Sequence, residues 1–337
     1  MAYTNINKPN EYFNTVTWTG NGSKITTGLR PDLIWYKARD VIGYAGVVNA
    51  IRGDDYYVQT YTSDAETNYS GLLVSDSTGF TPGSVFTTNS YVAWNWLANG
   101  AGSSNTDGSI TSTVSANTTS GFSIVTYSGN STAGATIGHG LNSVPSMVIV
   151  KSITNAESWA VYHKSVTTAN NYYLYLNSTG ALVTSGGDRW SVGSNSSTLF
   201  GLGNDGTTNQ SGQTYVAYCF AEKKGFSRFG TYVGNGETTY APFIYTGFKP
   251  AMVIYKRTDG IEGWMIQDNR RPEYNPIGGN LFPNNANAES TDARFDFLSN
   301  GFKARSGNQN TNASTHIYMA FAEQPLVSSS GVPCTAR

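Results

Sequence analysis

The chain has 337 residues, only 13% of them charged, and its 22 acidic and 21 basic side chains give a formal net charge of −1. Its 36 Ser, 39 Thr, 32 Asn and 37 Gly take the place of the missing charges, while aromatic residues still reach 13%. This balance excludes the basic surface that attracts nucleic acids or anionic membranes, and the aromatic content argues against a disordered chain. We therefore predict an all-β surface protein that binds no nucleic acid.

The termini and the cysteines set further bounds. No stretch approaches 18 consecutive apolar residues, so we expect no membrane insertion, and the N-terminus shows no pattern of a secretory signal. Cys219 and Cys334 lie far apart in the sequence, and we expect a buried thiol and a thiol in the tail rather than a disulfide.

Four short sequence landmarks recur three times in the same order, which is the signature of an internal repeat. The first landmark is Thr17–Gly22, Thr126–Ser131 and Thr231–Gly236 in the three copies, and the second is Pro31–Lys37, Pro145–Lys151 and Pro250–Lys256. The third is Gly79-Phe80, Arg189-Trp190 and Gly301-Phe302. The fourth is Tyr91–Trp96, Tyr215–Phe220 and His316–Phe321.

Each landmark predicts a local structure. The first, Thr-aromatic-x-Gly-Asn, is typical of a strand that enters a tight turn. The second is a continuous apolar run that predicts a central strand covered on both faces, with Pro at its first position and Lys marking the return to solvent. The fourth alternates large apolar residues with smaller or more polar ones, which predicts a strand with one face on a core.

The predicted fold is all-β, with three tandem antiparallel β-sandwich repeats of jelly-roll or lectin-like type. The predicted segments are an N-terminal arm (1–10), repeat 1 (11–99), a linker with an edge strand (100–120), repeat 2 (121–225), repeat 3 (226–326) and a C-terminal tail (327–337). Within repeat 2 we expect the insertion at 194–212 to form a surface loop.

Catalytic and metal-binding patterns are weak. The carboxylates that could serve acid/base catalysis are dispersed and do not form one predicted cluster; they are Asp188, Glu222, Asp292, Asp296 and Glu323. The histidines, His139, His163 and His316, are too scattered for a triad or a metal site. Asn105-Thr-Asp107 and Asn204-Asp205 could offer oxygen to calcium but lack the distant Glu of a calcium loop. We therefore predict no enzyme activity, no cofactor and no metal site, and leave calcium open.

Tyrosines are the remaining candidates for binding. Trp159 and Trp264 recur at matching positions and are expected in the core. The tyrosines least constrained by the repeat are expected to form a glycan-binding patch or to line a subunit contact; they are Tyr56, Tyr57, Tyr61, Tyr172, Tyr173 and Tyr274. Arg52-Gly-Asp54 matches an adhesion tripeptide, but a turn explains so short a match.

The series Thr126–Asn130, Pro145–Lys151, Trp159–Lys164 and Tyr215–Phe220 resembles the repeated β-sandwich domain of tailed-bacteriophage tail fibres and other virion proteins, especially those of cyanobacterial and marine phages. The segments Tyr3–Tyr12 and Tyr318–Leu326 resemble the first and last segments of that family. The resemblance implies a concanavalin-like sandwich, a virion location, a homotrimer and other virion proteins of the tail or capsid as partners. It supplies no catalytic residues.

From the residues and the resemblance together, we expect a non-enzymatic tail fibre or short tail appendage that binds host-surface polysaccharide through several weak contacts. A capsid decoration or head-fibre protein is the alternative. An envelope-polysaccharide depolymerase is the second alternative.

Overall fold

The computed structural model describes residues 3–237, 239–305, 307–310 and 313–335. Strands make up 42% of the chain and helices 4%, and the sheets are antiparallel, so the predicted all-β class is confirmed. Residues 11–99, 121–225 and 226–326 are called units 1, 2 and 3.

Unit 1 contains nine strands, preceded by a 3-10 turn at Pro9–Glu11. The strands are β1 (Phe13–Thr19), β2 (Ile25–Thr26), β3 (Leu33–Ala38), β4 (Ala45–Asn49), β5 (Gly53–Val58), β6 (Thr67–Asn68), β7 (Leu73–Asp76), β8 (Gly79–Pro82) and β9 (Ser90–Trp96). They form a main sheet, in the order β1-β9-β3-β4-β5-β6, and an outer sheet, in the order β2-β8-β7.

Unit 2 and the linker before it contribute the next nine strands. These are β10 (Ser103–Asn105), β11 (Ser112–Asn117), β12 (Phe122–Ser128), β13 (Thr136–Gly138), β14 (Met147–Ser152), β15 (Ala160–His163), β16 (Leu174–Tyr175), β17 (Leu199–Gly201) and β18 (Thr214–Phe220). A 3-10 turn lies at Val192–Ser194 and a one-turn helix, α1, at Gly206–Asn209. The main sheet has the order β10-β11-β12-β18-β14-β15-β16, and the outer sheet pairs β13 with β17. The linker thus adds two strands to the edge of this sheet.

Unit 3 holds the last seven strands and a 3-10 turn at Asn308–Asn310. The strands are β19 (Ser227–Val233), β20 (Phe243–Tyr245), β21 (Phe248–Arg257), β22 (Met265–Asp268), β23 (Phe295–Leu298), β24 (Gly301–Ala304) and β25 (Thr315–Pro325). The main sheet has the order β19-β25-β21-β22, and the outer sheet the order β20-β24-β23.

The three main sheets share one strand order and one register. In each unit the last strand lies between the first strand and the central strand. Trp96 thus pairs with Phe13 and Leu33, as Phe220 pairs with Phe122 and Met147 and Phe321 pairs with Ser227 and Met252. This register defines which positions of the units correspond.

Each main sheet is covered on both faces. Its outer face packs on the small outer sheet of the same unit, around a separate hydrophobic cluster in each case. Its inner face contributes to one large cluster that contains residues of all three units, including Trp94, Tyr218 and Met319. The sequence predicts one buried face for the fourth landmark, and this prediction is wrong, because β9 and β18 are buried on both sides.

The shared inner cluster is centred on aromatic side chains from the ends of the main strands. The ring centroid of Phe321 lies 4.9 Å from that of Phe13 and 5.5 Å from that of Trp96, both in unit 1, and 6.0 Å from that of Phe220 in unit 2. Aromatic side chains dominate the burial energy of such a core. The three units therefore share their core instead of stacking as separate bodies.

Buried polar side chains at one corresponding position connect the units in a ring. Asn49 of unit 1 donates to the Tyr218 hydroxyl of unit 2 at 3.0 Å. His163 of unit 2 lies 3.4 Å from the carbonyl oxygen of Tyr318 in unit 3. Asp268 of unit 3 accepts a hydrogen bond from Trp94 Nε1 of unit 1 at 3.0 Å. Each unit thus contacts the last strand of the next one.

The lysines that end the second landmark are buried, so the prediction that they mark the return to solvent is wrong. Lys37 is 2% exposed, and Lys151 and Lys256 are fully buried. The Lys37 ammonium donates to the Asn285 carbonyl of unit 3 at 2.9 Å, and that of Lys151 to the Ser63 carbonyl of unit 1 at 3.1 Å. Burial lowers the pKa of each of the three lysines to about 8.

Two predictions about unit 2 are also wrong. The counterpart of Gly79-Phe80 is Leu199-Phe200, because Phe200 pairs with β13 as Phe80 pairs with β2; it is not Arg189-Trp190. The insertion at 194–212 is more than a surface loop, since it contains β17 and the buried turn α1. Asp205 caps α1 by accepting hydrogen bonds from the backbone and hydroxyl of Thr207.

Candidate functional site

The candidate site is a pocket of about 240 Å³ on the outer side of unit 1. It opens beside the outer sheet, between the β3–β4 hairpin, β5 and the segments around residues 69–72 and 85–86. Four tyrosines line it, namely Tyr36, Tyr44, Tyr57 and Tyr69, together with apolar groups and Gln59. Such a mainly apolar concavity with a few polar atoms is the usual form of a small-molecule site.

The floor of the pocket comes from the main sheet. Tyr36 is on β3 and only 3% exposed, and it packs edge-on against Phe86 at 5.2 Å between ring centroids. Gly46 is its partner on β4, and a Cβ at Gly46 would lie 2.8 Å from the Tyr36 hydroxyl oxygen and 3.1 Å from the ring of Tyr57. Burial raises the pKa of the Tyr36 hydroxyl, so this group is a neutral donor and acceptor.

The rim of the pocket is formed by two half-exposed tyrosines. Tyr44 is 40% exposed and Tyr69 is 41% exposed. Tyr44 has a φ of +43°, an unfavourable conformation for a non-glycine residue. Hydrogen bonds on both sides of the hairpin hold it: Gly43 N–H donates to the Ala286 carbonyl of unit 3, and the Tyr44 carbonyl accepts from Ala38 N–H.

Only one of the six predicted tyrosines, Tyr57, lines this pocket. Its neighbour Tyr56 is 37% exposed on β5. Tyr61 is half-buried, with Lys37 Nζ 5.8 Å from its ring centroid at the contact with unit 3. Tyr172 is half-buried in unit 2, and Tyr274 is 74% exposed on a loop of unit 3. The structure therefore distributes these tyrosines over three units.

Tyr173 does not present the exposed ring that its prediction as a glycan-binding residue requires. It is only 6% exposed, and the Arg189 guanidinium covers its ring at 3.8 Å from the centroid. Arg189 is held in place by the Tyr175 hydroxyl and by Asp205. The ring is thus a buried cation–π partner and is not open to a ligand.

Most of the candidate acid/base carboxylates form ion pairs with basic side chains. Glu222 contacts Lys164 and Arg228, and Glu323 contacts Lys249. Asp292 and Asp296 pair with Arg294 and Arg305, respectively. Glu323 and Lys249 lie on the neighbouring strands β25 and β21, whereas Asp292 and Arg294 are two residues apart in one segment, so these ion pairs have structural roles.

The histidines and cysteines lie in different parts of the chain. His139 and His163 are fully buried, and burial lowers the pKa of each, to about 4 for His163. Cys219 is buried and Cys334 half-buried, both as free thiols. Among the described residues, no group of three or more His, Cys, Asp and Glu side chains is placed to hold a metal ion.

The Arg-Gly-Asp tripeptide is committed to internal contacts. The Arg52 side chain is 4% exposed and pairs with Glu66. Asp54 accepts hydrogen bonds from the backbone and hydroxyl of Ser75. The segment is therefore a turn and an ion pair at the start of β5.

The two segments outside the repeat lie side by side. Asn7 of the N-terminal arm donates to the Ser329 hydroxyl and accepts from Ser329 N–H, both at 2.7 Å. Tyr3 of the same arm donates to the Gly247 carbonyl. Residues 1, 2, 336 and 337 of these segments lie outside the described residues.

Sequence reasoning misses three of the four pocket tyrosines. Tyr36 lies in the second landmark and is assigned to the core, and Tyr44 and Tyr69 lie in loops. No local sequence pattern marks these tyrosines, since the correspondence of Gly46 with Ala160 and Met265 follows from the register of the main sheets.

Residues 8–325 match a protein family described as a domain of unknown function, DUF7483, and the chain belongs to that family. No curated protein and no solved structure matches the chain. In the part of the chain that the structure describes, no helix has the length and hydrophobicity needed to cross a membrane.

Proposed function

We propose that this protein is a structural component of a bacteriophage virion, a tail fibre or short tail appendage that attaches to host-surface glycans without cleaving them. Its units are then three lectin-like sandwich repeats arranged around a shared core. Its partners are other virion proteins and the polysaccharide of the host envelope, and the family resemblance implies a homotrimer.

The observation that carries the glycan assignment is the tyrosine-lined pocket of unit 1. Carbohydrate sites combine aromatic faces, which pack on the apolar faces of sugar rings, with a few hydrogen-bonding groups. The nearly neutral chain supports the same ligand class, because it provides little electrostatic attraction for polyanions.

A capsid decoration protein is the second candidate, and the contact between the N-terminal arm and the C-terminal tail supplies a docking surface for it. Both segments lie outside the repeat and form one continuous patch around Asn7 and Ser329. One patch of this kind suits docking to a shell as well as docking to a tail.

The test incubates the purified chain with host cells, with their extracted envelope polysaccharide and with purified empty phage heads. Glycan attachment predicts saturable binding to cells and polysaccharide without new reducing ends. Sustained release of reducing ends would establish the depolymerase instead. Binding to empty heads alone would establish the decoration protein, and sedimentation of the chain measures whether it is trimeric.

A further inference from the structure

We propose that the pocket of unit 1 is a subsite for a single uncharged pyranose ring, lined by Tyr36 and Tyr57, which pack over Gly46, and anchored by the Tyr36 hydroxyl. This inference rests on the proposed glycan attachment and specifies which of the three units holds the sugar and which class of sugar it holds.

The first observation is the difference between corresponding positions on the three main sheets. Gly46 faces Tyr36 across β3 and β4, and Met265 faces Tyr255 in the same register of unit 3. Met265 is 4% exposed, and the Tyr255 hydroxyl lies 2.8 Å from its sulfur. In unit 2 the pair is Ala160 and Val150, both fully buried. Gly46 has no side chain, and the Tyr36 hydroxyl and the Tyr57 ring occupy the space beside it, since a Cβ there would lie 2.8 Å from the hydroxyl oxygen and 3.1 Å from the ring.

The second observation is the state of the Tyr36 hydroxyl. Tyr36 is 97% buried, and its counterpart Tyr255 uses its hydroxyl in a contact with Met265. Within the described residues, the Tyr36 hydroxyl has no hydrogen-bond partner, and the residue lines the pocket. The hydroxyl oxygen reaches solvent in the pocket, so a ligand hydroxyl at this position would replace water as its hydrogen-bond partner.

The lining defines the ligand class. It contains tyrosine, phenylalanine, aliphatic residues, glycine and one glutamine, and no charged residue. A charged sugar would therefore lose its hydration without gaining a counter-charge. The volume of about 240 Å³ lies below the usual range for drug-sized ligands, which fits one sugar ring with its neighbours in solvent. Tyr44 and Tyr69 at the rim supply the aromatic faces.

The test measures binding of methyl pyranosides of glucose, galactose and mannose, with glucuronic acid as the charged comparison, by saturation-transfer NMR and titration. Tyr36→Phe removes one oxygen and is expected to weaken binding by roughly 3- to 10-fold. Gly46→Met imitates unit 3 and is expected to weaken binding by about 30-fold or more, because its side chain displaces the Tyr36 hydroxyl and the Tyr57 ring that line the pocket. Tyr255→Phe is the matched control in unit 3 and should leave affinity unchanged.

The possible outcomes separate this inference from the proposed function. Unchanged affinity in both Tyr36→Phe and Gly46→Met would overturn the subsite, even where the chain still binds host polysaccharide. Equal or stronger binding of glucuronic acid would overturn the uncharged ligand class. Binding of a neutral pyranoside that both substitutions weaken supports the subsite, even where host cells are not bound and the attachment function fails.

Discussion

Phe321→Ala tests the shared core, because its ring contacts aromatic side chains from every unit. Phe13 and Trp96 of unit 1, Phe220 of unit 2 and Phe229 of its own unit lie within 6.3 Å of it, between ring centroids. Phe321 is 1% exposed, so the substitution leaves a cavity that cannot fill with water favourably. A buried Phe→Ala change costs about 3–5 kcal/mol.

Hydrogen exchange measured by mass spectrometry reports this loss strand by strand. With each 1.4 kcal/mol worth a factor of about ten, a loss of about 3–5 kcal/mol lowers protection by about two to three and a half orders of magnitude. We expect the loss in β9 of unit 1 and β18 of unit 2 as well as in β25, because all three strands pack on the same ring. Phe302→Ala is the matched control, since Phe302 is fully buried but packs within unit 3, on Phe295 and Tyr318.

Two results would refute this reasoning. One is a Phe321→Ala protein that loses protection only in unit 3 and keeps it in β9 and β18. The other is a Phe302→Ala protein that loses as much protection in β9 and β18 as the Phe321→Ala protein does.

Three further predictions concern the buried polar groups. Asp268→Asn leaves the buried side chain of Arg271 without its nearest counter-charge and should lower the free energy of unfolding, measured by urea titration, by about 3 kcal/mol. The control Asp292→Asn removes one partner of an exposed ion pair and should lower it by less than about 1 kcal/mol. Equal effects of the two substitutions would contradict the assigned burial of the first pair. In the folded chain the pKa of Lys37, Lys151 and Lys256 is about 8, lowered from 10.5, so between about pH 8 and pH 10 these lysines lose protons that they keep in the unfolded chain. The free energy of unfolding should therefore rise over this pH range. Lys151→Met should reduce the rise, and an unchanged rise would count against the burial of Lys151. Because burial raises the pKa of the Cys219 thiol, a thiol reagent should modify Cys334 in the folded chain and Cys219 only after denaturation. Rapid modification of both cysteines in the folded chain would contradict the fold around β18.

The fold class follows from the sequence because strand signals are local. The continuous apolar runs of β3 and β14 are buried on both faces, as the pattern predicts. Trp159 and Trp264 are 1% exposed, in agreement with their predicted core positions. Pro250 departs from the simple pattern, since it lies inside β21 at a register shift, where a missing N–H is tolerated.

The contacts between units are not predictable from local patterns. A terminal lysine normally indicates solvent, but Lys37 and Lys151 end where a neighbouring unit supplies backbone carbonyls, and one sequence does not show that neighbour. The insertion in unit 2 similarly led the sequence prediction to place the third landmark at Trp190 instead of Phe200, because spacing alone does not reveal strand pairing.

The pocket is equally invisible to a search for exposed tyrosines. Its anchor, Tyr36, is buried, and the positions of Tyr36 and Tyr57 in its lining depend on the missing side chain at Gly46. Such a site arises from the difference between repeats, so it requires the register that the structure supplies.

The most direct measurement of the central claim is methyl NMR of the full chain, titrated with a neutral oligosaccharide from the host envelope. Ile42, Leu72 and Val85 line the pocket and serve as its reporters, while Ile261 of unit 3 is 82% exposed and far from it in sequence. Glycan attachment through the pocket predicts saturable shifts of the three reporters and none at Ile261. Shifts at Ile261 with unchanged pocket reporters, or no shifts at saturating sugar, would contradict it.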